Sequence, residues 1–398
     1  MHESALSNRE AIVKALPIFI AALNMRTGLT VMSPLIPIFK EQYHLSSFLL
    51  SFLTSLTVLC FAASAFLMPL VGRIGGTNRV ISVALIVLTT AIFLRAIGNV
   101  PMLFLSSLTV GIAIAILNFS LPVWVKENAS EHSGLVTGIY ITIMGVSAAI
   151  SLAVAVPLAR ASAWGWRLAM VPWIVIGLVS SIWWIARNAK DLKSSHMPIS
   201  SKFHWELLRN PGAWSIALFF GLQSMLYYGT ATWLPTILVS KGFTLSYAGF
   251  AVAITGLIGS VIGIVVPHYS SKLRDLKILL TIVGAIVTLS VVAIIVDQGW
   301  RLTIWLLIIN IGLSITFPLS LLLTVTRSVE AGETRSLSIM AQSIGYLMAA
   351  FSPGIVGAIF DATLNWNIAL IFPVILGIML GAVGYFAGKP EKILILRP

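Results

Sequence analysis

Apolar residues run along this chain in unbroken stretches of helix length, separated by short polar breaks. The pattern predicts twelve spans at about 12–38, 46–71, 79–97, 100–125, 134–159 and 166–186, then 212–238, 246–268, 278–296, 302–326, 337–360 and 368–387. Each approaches or exceeds the ~20 residues a helix needs to cross a bilayer. None shows the two-residue alternation of a transmembrane β-barrel. The one long polar interruption is 187–211, a basic stretch with Ser194-Ser195, Pro198 and Ser200-Ser201. The reading is an all-α integral membrane protein of twelve transmembrane helices, organised as 1–186, a linker at 187–211, and 212–398.

The two six-span groups read as pseudo-symmetric bundles. Leu35-Ile36-Pro37-Ile38 falls on Trp233-Leu234-Pro235-Thr236, and Gly111 to Lys126 on Gly312 to Arg327. Trp166-Arg167-Leu168-Ala169 falls on Trp366-Asn367-Ile368-Ala369. Parallel repeats of this kind occur in alternating-access transporters, with the binding site between the halves near the bilayer midplane. Pro122, Pro157, Pro318 and Pro353 lie inside spans and are expected to bend them.

Composition agrees. Of 398 residues, 58% are hydrophobic and 10% charged, against about 25% charged in soluble domains. A net charge of +12 invites nucleic-acid binding, but the cations gather on one side of the chain. Arg9, Lys14, Arg73, Arg79, Lys126, Arg187, Lys190, Lys272, Arg274 and Lys389 belong to one set of loops and tails, while the other has few beyond Lys40, Arg160, Arg167, Lys241 and Arg301. This positive-inside bias puts both termini in the cytoplasm. Arg95 and Arg327, near span ends, read as interfacial anchors. Trp164, Trp166, Trp173, Trp233 and Trp366 read as an aromatic belt. Cys60 stands alone.

Candidate chemistry centres on Arg26, in the middle of the first span. Insertion scales put an arginine there at roughly 2.5–3.5 kcal/mol, so the side chain must face protein, water or an anion. Every Asp and Glu lies in a tail or loop, and no mid-span carboxylate can neutralise Arg26. An unneutralised, planar guanidinium fork suits a carboxylate-like or otherwise electronegative solute. The other reading, an arginine bonded to helix carbonyls, fits mid-span depth less well. Polar residues at similar depth complete the candidate binding set: Asn24, Thr27, Asn118, Tyr140, Gln223, Tyr227, Tyr228, Gln342 and Tyr346. For each of them, interhelical hydrogen bonding is the alternative. No histidines are spaced as metal ligands, no phosphate loop or nucleophile elbow occurs, and neither enzymatic activity nor a cofactor is expected. His268, near a span end, is a weak candidate for proton coupling.

The chain resembles the major facilitator superfamily, specifically its cyanate permease and 2-nitroimidazole transporter group. The likeness lies in Leu23-Asn24-Met25-Arg26, Ser33 to Pro37, Asn118 to Pro122, Gly134 to Tyr140 and Gly165-Trp166-Arg167. In the second half it lies in Gly221-Leu222-Gln223-Ser224, Trp233-Leu234-Pro235 and Met340 to Tyr346. The resemblance implies a secondary permease in a bacterial inner membrane, moving small anionic or nitro-aromatic solutes without ATP or metal; a monomer is expected. Efflux of drugs or other xenobiotics is the alternative. The superfamily's gate motif falls at Gly72 to Arg79; Arg73 and Arg79 are present there, and the usual aspartate is missing.

Overall fold

The protein, seen in a computed structural model, is described at residues 8–71, 75–129, 132–188, 203–270, 273–329, 331–391 and 393. Arg73, most of the 187–211 linker and the side chain of His268 lie outside the described residues.

The first span is two helices. α1 (Asn8–Thr30) stops at a three-residue 3-10 turn, Ser33–Leu35, and α2 (Ile36–Tyr43) completes the crossing. Pro34 has no N–H to continue the ladder, and the amide of Met32 donates back three residues to Leu29 O (3.4 Å). The long run read as one helix therefore breaks near its far end. The chain then turns at His44, whose φ of 52° is left-handed, into α3 (Ser47–Val71).

The first half continues with α4 (Thr77–Ile97), α5 (Val100–Asn128), α6 (Ser133–Arg160) and α7 (Val171–Asn188). The second contains α8 (Pro211–Ser240), α9 (Leu245–Ser270), α10 (Lys277–Val296), α11 (Arg301–Thr326) and α12 (Ala331–Thr363), ending in α13 (Trp366–Ala369) and α14 (Ile371–Ala387). Asparagines start two of these helices in the expected way: Asn99 accepts from Met102 N (3.3 Å), and Asn210 from Gly212 N (2.8 Å) and Ala213 N (3.2 Å). Ten spans among the described residues are long and apolar enough to cross a membrane. α8 is not among them; its apolar run is diluted by Gln223, Ser224, Tyr227, Tyr228 and threonines, and most of it is buried in the protein.

Helix neighbours repeat between the halves. α1 packs on α6 as α8 packs on α12; α3–α5 corresponds to α9–α11, and α4–α7 to α10–α14. The halves meet along α3–α12 and α6–α9, two equivalent seams. Small residues permit the closest approaches; an added Cβ on Gly284 would sit 2.5 Å from the Gly381 backbone.

The tryptophans form no common belt. Trp164 is 67% exposed, whereas Trp166, Trp173, Trp233 and Trp366 are buried. Trp166 packs edge-on against Phe39 (5.1 Å between centroids), and Trp366 stacks on Phe360 (4.0 Å) and tilts over Trp233 (5.2 Å). These rings bind the turn before α7 and the short α13 onto neighbouring helices.

Candidate functional site

Arg26 lies on α1 four residues before the helix breaks, half-buried. Its guanidinium lies near the hydroxyls of Tyr228, Tyr227 and Tyr346. All three tyrosines belong to the opposite half, two from α8 and one from α12. Among the described residues no carboxylate forms an ion pair with Arg26.

Aromatic rings wall the cluster. Phe61 of α3 touches Tyr346 edge-on (5.5 Å) and Tyr228 at a tilt (6.5 Å). Phe220 of α8 stands perpendicular to Tyr346 (5.2 Å) and edge-on to Phe317 of α11 (5.9 Å). Tyr228 completes the set against Tyr227 (5.1 Å) and Tyr346 (6.3 Å). Gly345 is required here, because a Cβ on it would collide with the Phe220 ring. The arrangement presents one cation, three phenols and an apolar wall at the boundary of two bodies.

The other candidates divide. Asn24 donates to Ser180 Oγ (2.7 Å) and Ile20 O (3.1 Å), and fully buried Thr27 donates to Asn24 O (3.3 Å). Asn24 therefore faces α7 within the first half, and the Thr27 hydroxyl is taken up by its own helix. Gln223 is buried and donates to Ser224 Oγ (2.6 Å). Gln342 is half-buried one turn before Tyr346 on α12, Asn118 is exposed on α5, and buried Tyr140 on α6 shares none of these ring contacts. Phe61, Phe220 and Phe317 were invisible as site residues in the sequence. An aromatic in an apolar helix carries no signal separating cavity wall from core.

Arg95 is not an interfacial anchor. It is 0% exposed and donates from Nη1 to Gly28 O (2.5 Å), from Nε to Ser106 Oγ (3.0 Å) and from Nη2 to Ser107 Oγ (3.1 Å). Arg327 is also buried; its Nη2 donates to Gly388 O (2.8 Å), fastening the end of α11 to the end of α14.

The halves are latched at the end away from the linker. Ser33 Oγ donates to Ala231 O (2.5 Å) and Thr232 O (3.0 Å). Asp361, from the last turn of α12, accepts from the amides of Ser47 (3.1 Å) and Phe48 (2.9 Å), capping α3 across the seam. Lys40 lies 3.9 Å from Asp361 Oδ1, donates to Ser47 Oγ (2.9 Å) and covers the Phe360 ring. At the linker end, Arg79 is exposed, Thr77 Oγ1 donates to Glu127 Oε1 (3.1 Å) and Trp124 Nε1 donates to Asn78 Oδ1 (2.8 Å). Glu127 thus supplies an acid to a loop that lacks its own.

Comparison with known proteins accords with this geometry. The Major Facilitator Superfamily model matches residues 18–353. The chain is 30% identical over 378 residues to the uncharacterized transporter YycB of Bacillus subtilis (strain 168), covering 94% of this chain and 93% of that one. It is 29% identical to the 2-nitroimidazole transporter of Escherichia coli (strain K12), covering 98% and 99%, and 24% identical to the cyanate transport protein CynX of the same strain, covering 88% and 91%. The crystal structure of a bacterial homolog of the human lysosomal transporter Spinster, in an inward-facing and unoccupied conformation, superposes with a TM-score of 0.76 over 97% of this chain and 98% of that one at 14% identity, a likeness of fold. The chain belongs to the Major Facilitator Superfamily and is a multi-pass membrane transporter of small solutes.

Proposed function

We propose that the protein is a permease for a small anionic or nitro-bearing solute, bound between the halves by Arg26 and the hydroxyls of Tyr228, Tyr227 and Tyr346. One observation carries this reading: a guanidinium at mid-span depth lies near phenols of the opposite half and, among the described residues, is paired with no carboxylate. An anion entering there supplies the missing charge, and a planar guanidinium holds a carboxylate or nitro group through two parallel N–H bonds. Because the partners sit on separate bodies, a bound anion also ties the halves together, which favours closure around it. Cyanate and nitroimidazole transport by full-length relatives fits such a site. The positive-inside distribution places the linker end in the cytoplasm, in a bacterial inner membrane, so the latched end faces outward.

A second reading, efflux of aromatic xenobiotics, is favoured by the wall of Phe61, Phe220 and Phe317. Ligand-induced thermal shifts on purified protein separate the two. Cyanate, nitrate, benzoate and 2-nitroimidazole are compared with neutral aromatics, on wild type, Arg26→Lys and Arg26→Ala. A ligand that binds the native state stabilises it by mass action. Stabilisation by one anion class, lost in Arg26→Ala and reduced in Arg26→Lys, is the expected result. Stabilisation by neutral aromatics alone, equal in all three proteins, would establish efflux instead.

A further inference from the structure

The break in α1 leaves a backbone carbonyl without its helical donor. Val31 N still reaches Thr27 O (3.1 Å), but Met32 N turns to Leu29 O, so Gly28 O loses the partner four residues ahead. A buried carbonyl left bare gives up its bond to water without gaining another. Arg95 of α4 fills the gap from Nη1, while its other two bonds fix it to consecutive serines of α5. Gly28 also lets α4 and α5 pack close to α1: a Cβ there would stand 3.2 Å from Val110 Cγ1 and 3.4 Å from Ile92 Cδ1.

We infer that Arg95 is a positioning residue for Arg26, clamping the opened turn of α1 so that the guanidinium two residues before Gly28 faces the tyrosines of the other half. The inference rests on the reading of Arg26 as the solute's partner. Arg26's own carbonyl accepts from Thr30 Oγ1 (2.9 Å), and Thr30 is in turn paired with Ser151 Oγ of α6 (2.5 Å). The turn bearing Arg26 is thus held from α4 by Arg95 and from α6 through Thr30. Only the Arg95 bond takes up the carbonyl that the break sets free. The charge belongs to the role as well. A charged donor makes a stronger bond to a carbonyl than a neutral one, and a fork can reach one carbonyl and two hydroxyls where the point charge of lysine cannot.

A double-mutant cycle tests this. Arg95→Met and Arg95→Lys are made in wild-type and Arg26→Lys backgrounds, and binding of benzoate and cyanate is measured. The expected result is a loss of about tenfold for Arg95→Met in the wild-type background, with little further loss once Arg26 is lysine. Arg95→Lys should recover part of the affinity. Equal losses in both backgrounds, or none in either, would reduce Arg95 to general scaffolding. A ligand-free arm covers the case in which Arg95→Met does not fold. Arg26→Cys is placed in a Cys60→Ala background, and its labelling rate by a charged methanethiosulfonate is followed with Arg95 or Lys at position 95. A clear change in rate supports positioning, and an unchanged rate overturns it. If Arg26→Ala binds both anions as wild type does, the solute reading has failed, and the labelling arm still decides whether Arg95 orients this turn.

Discussion

Two arginines lie inside apolar helices of the first half, and they are bound in opposite ways. Arg95 is sealed from solvent, and its three acceptors, one carbonyl and two serine hydroxyls, belong to its own half. Arg26 is half-buried, and its partners are tyrosines on the other half. Among the described residues neither is paired with an acid. The difference separates a cation that belongs to the frame from one that belongs to the cycle. Under the proposed rocking of the halves, Arg95's surroundings would travel with it, whereas Arg26's would be taken apart and rebuilt.

The largest consequence is in transport. Arg26→Ala should reduce uptake or counterflow of the solute at least about a hundredfold, the scale of losing a charged, desolvated bond worth roughly 3 kcal/mol. Arg95→Lys should retain measurable transport. Solute flux in proteoliposomes checks both, and equal loss in the two variants would erase the distinction.

Next in size is stability, where the two sites should differ in sign. Replacing a buried charge that lacks a counterion by an apolar side chain of similar length is often stabilising, by about 1–4 kcal/mol. Arg26→Met should therefore raise the unfolding temperature in the absence of solute. Arg95→Met bares Gly28 O and should lower it, by the equivalent of about 1–3 kcal/mol. Melting curves of the two variants beside wild type give the answer, and a shift of the same sign in both would mean the residues are not different in kind.

The sequence makes Arg26 conspicuous but cannot rank it against Arg95. Hydropathy places the spans well, because twenty apolar residues in lipid leave little choice but a helix. It misplaces Arg95 at an interface, since Ile97 ends the run two residues later and nothing local announces a broken turn sixty-odd residues earlier that needs a donor. The tyrosines at 227, 228 and 346 are legible as polar groups in apolar helices. Asn24 and Thr27 look equally good, yet a helix places successive residues about 100° apart, and those two turn inward to Ser180 and their own backbone. Asp361 reads as an ordinary loop acid because its acceptors' partners, the amides of Ser47 and Phe48, are over three hundred residues away in sequence.

Asp361 extends the comparison to the latched end, where bonds again cross between bodies. A side-chain cap on a helix start is worth about 0.5–2 kcal/mol. Asp361→Ala should therefore shift the balance between closed and open far ends by several-fold up to about thirtyfold. Spin labels at His44 and Leu364, on opposite halves at that end, should show a longer-distance population in the variant. An unchanged distance distribution would mean that Ser33, bonded to Ala231 and Thr232, holds the seam alone.

The smallest expected effect tests how Arg26 is supported between solutes. Tyr228→Phe removes a hydroxyl close to the guanidinium and leaves its ring contacts with Phe61, Tyr227 and Tyr346 in place. A hydrogen bond to a charged group contributes about 1.5–3 kcal/mol, of which exchange with solvent in a half-open site returns a part. If Tyr228 bonds the anion along with Arg26, the substitution should weaken binding several-fold and leave the maximal rate near wild type. If the hydroxyl instead occupies the fork only while the site is empty, the phenylalanine should bind anions more tightly, because no internal partner then competes with the solute. Tyr346→Phe serves as the reference: it lies in the same ring cluster, interacts with Arg26 only through space, and should change affinity less than Tyr228→Phe in either direction. Binding isotherms for the three proteins decide which of the two roles the phenol plays, and a larger effect at Tyr346 would move the solute's contact from α8 to α12.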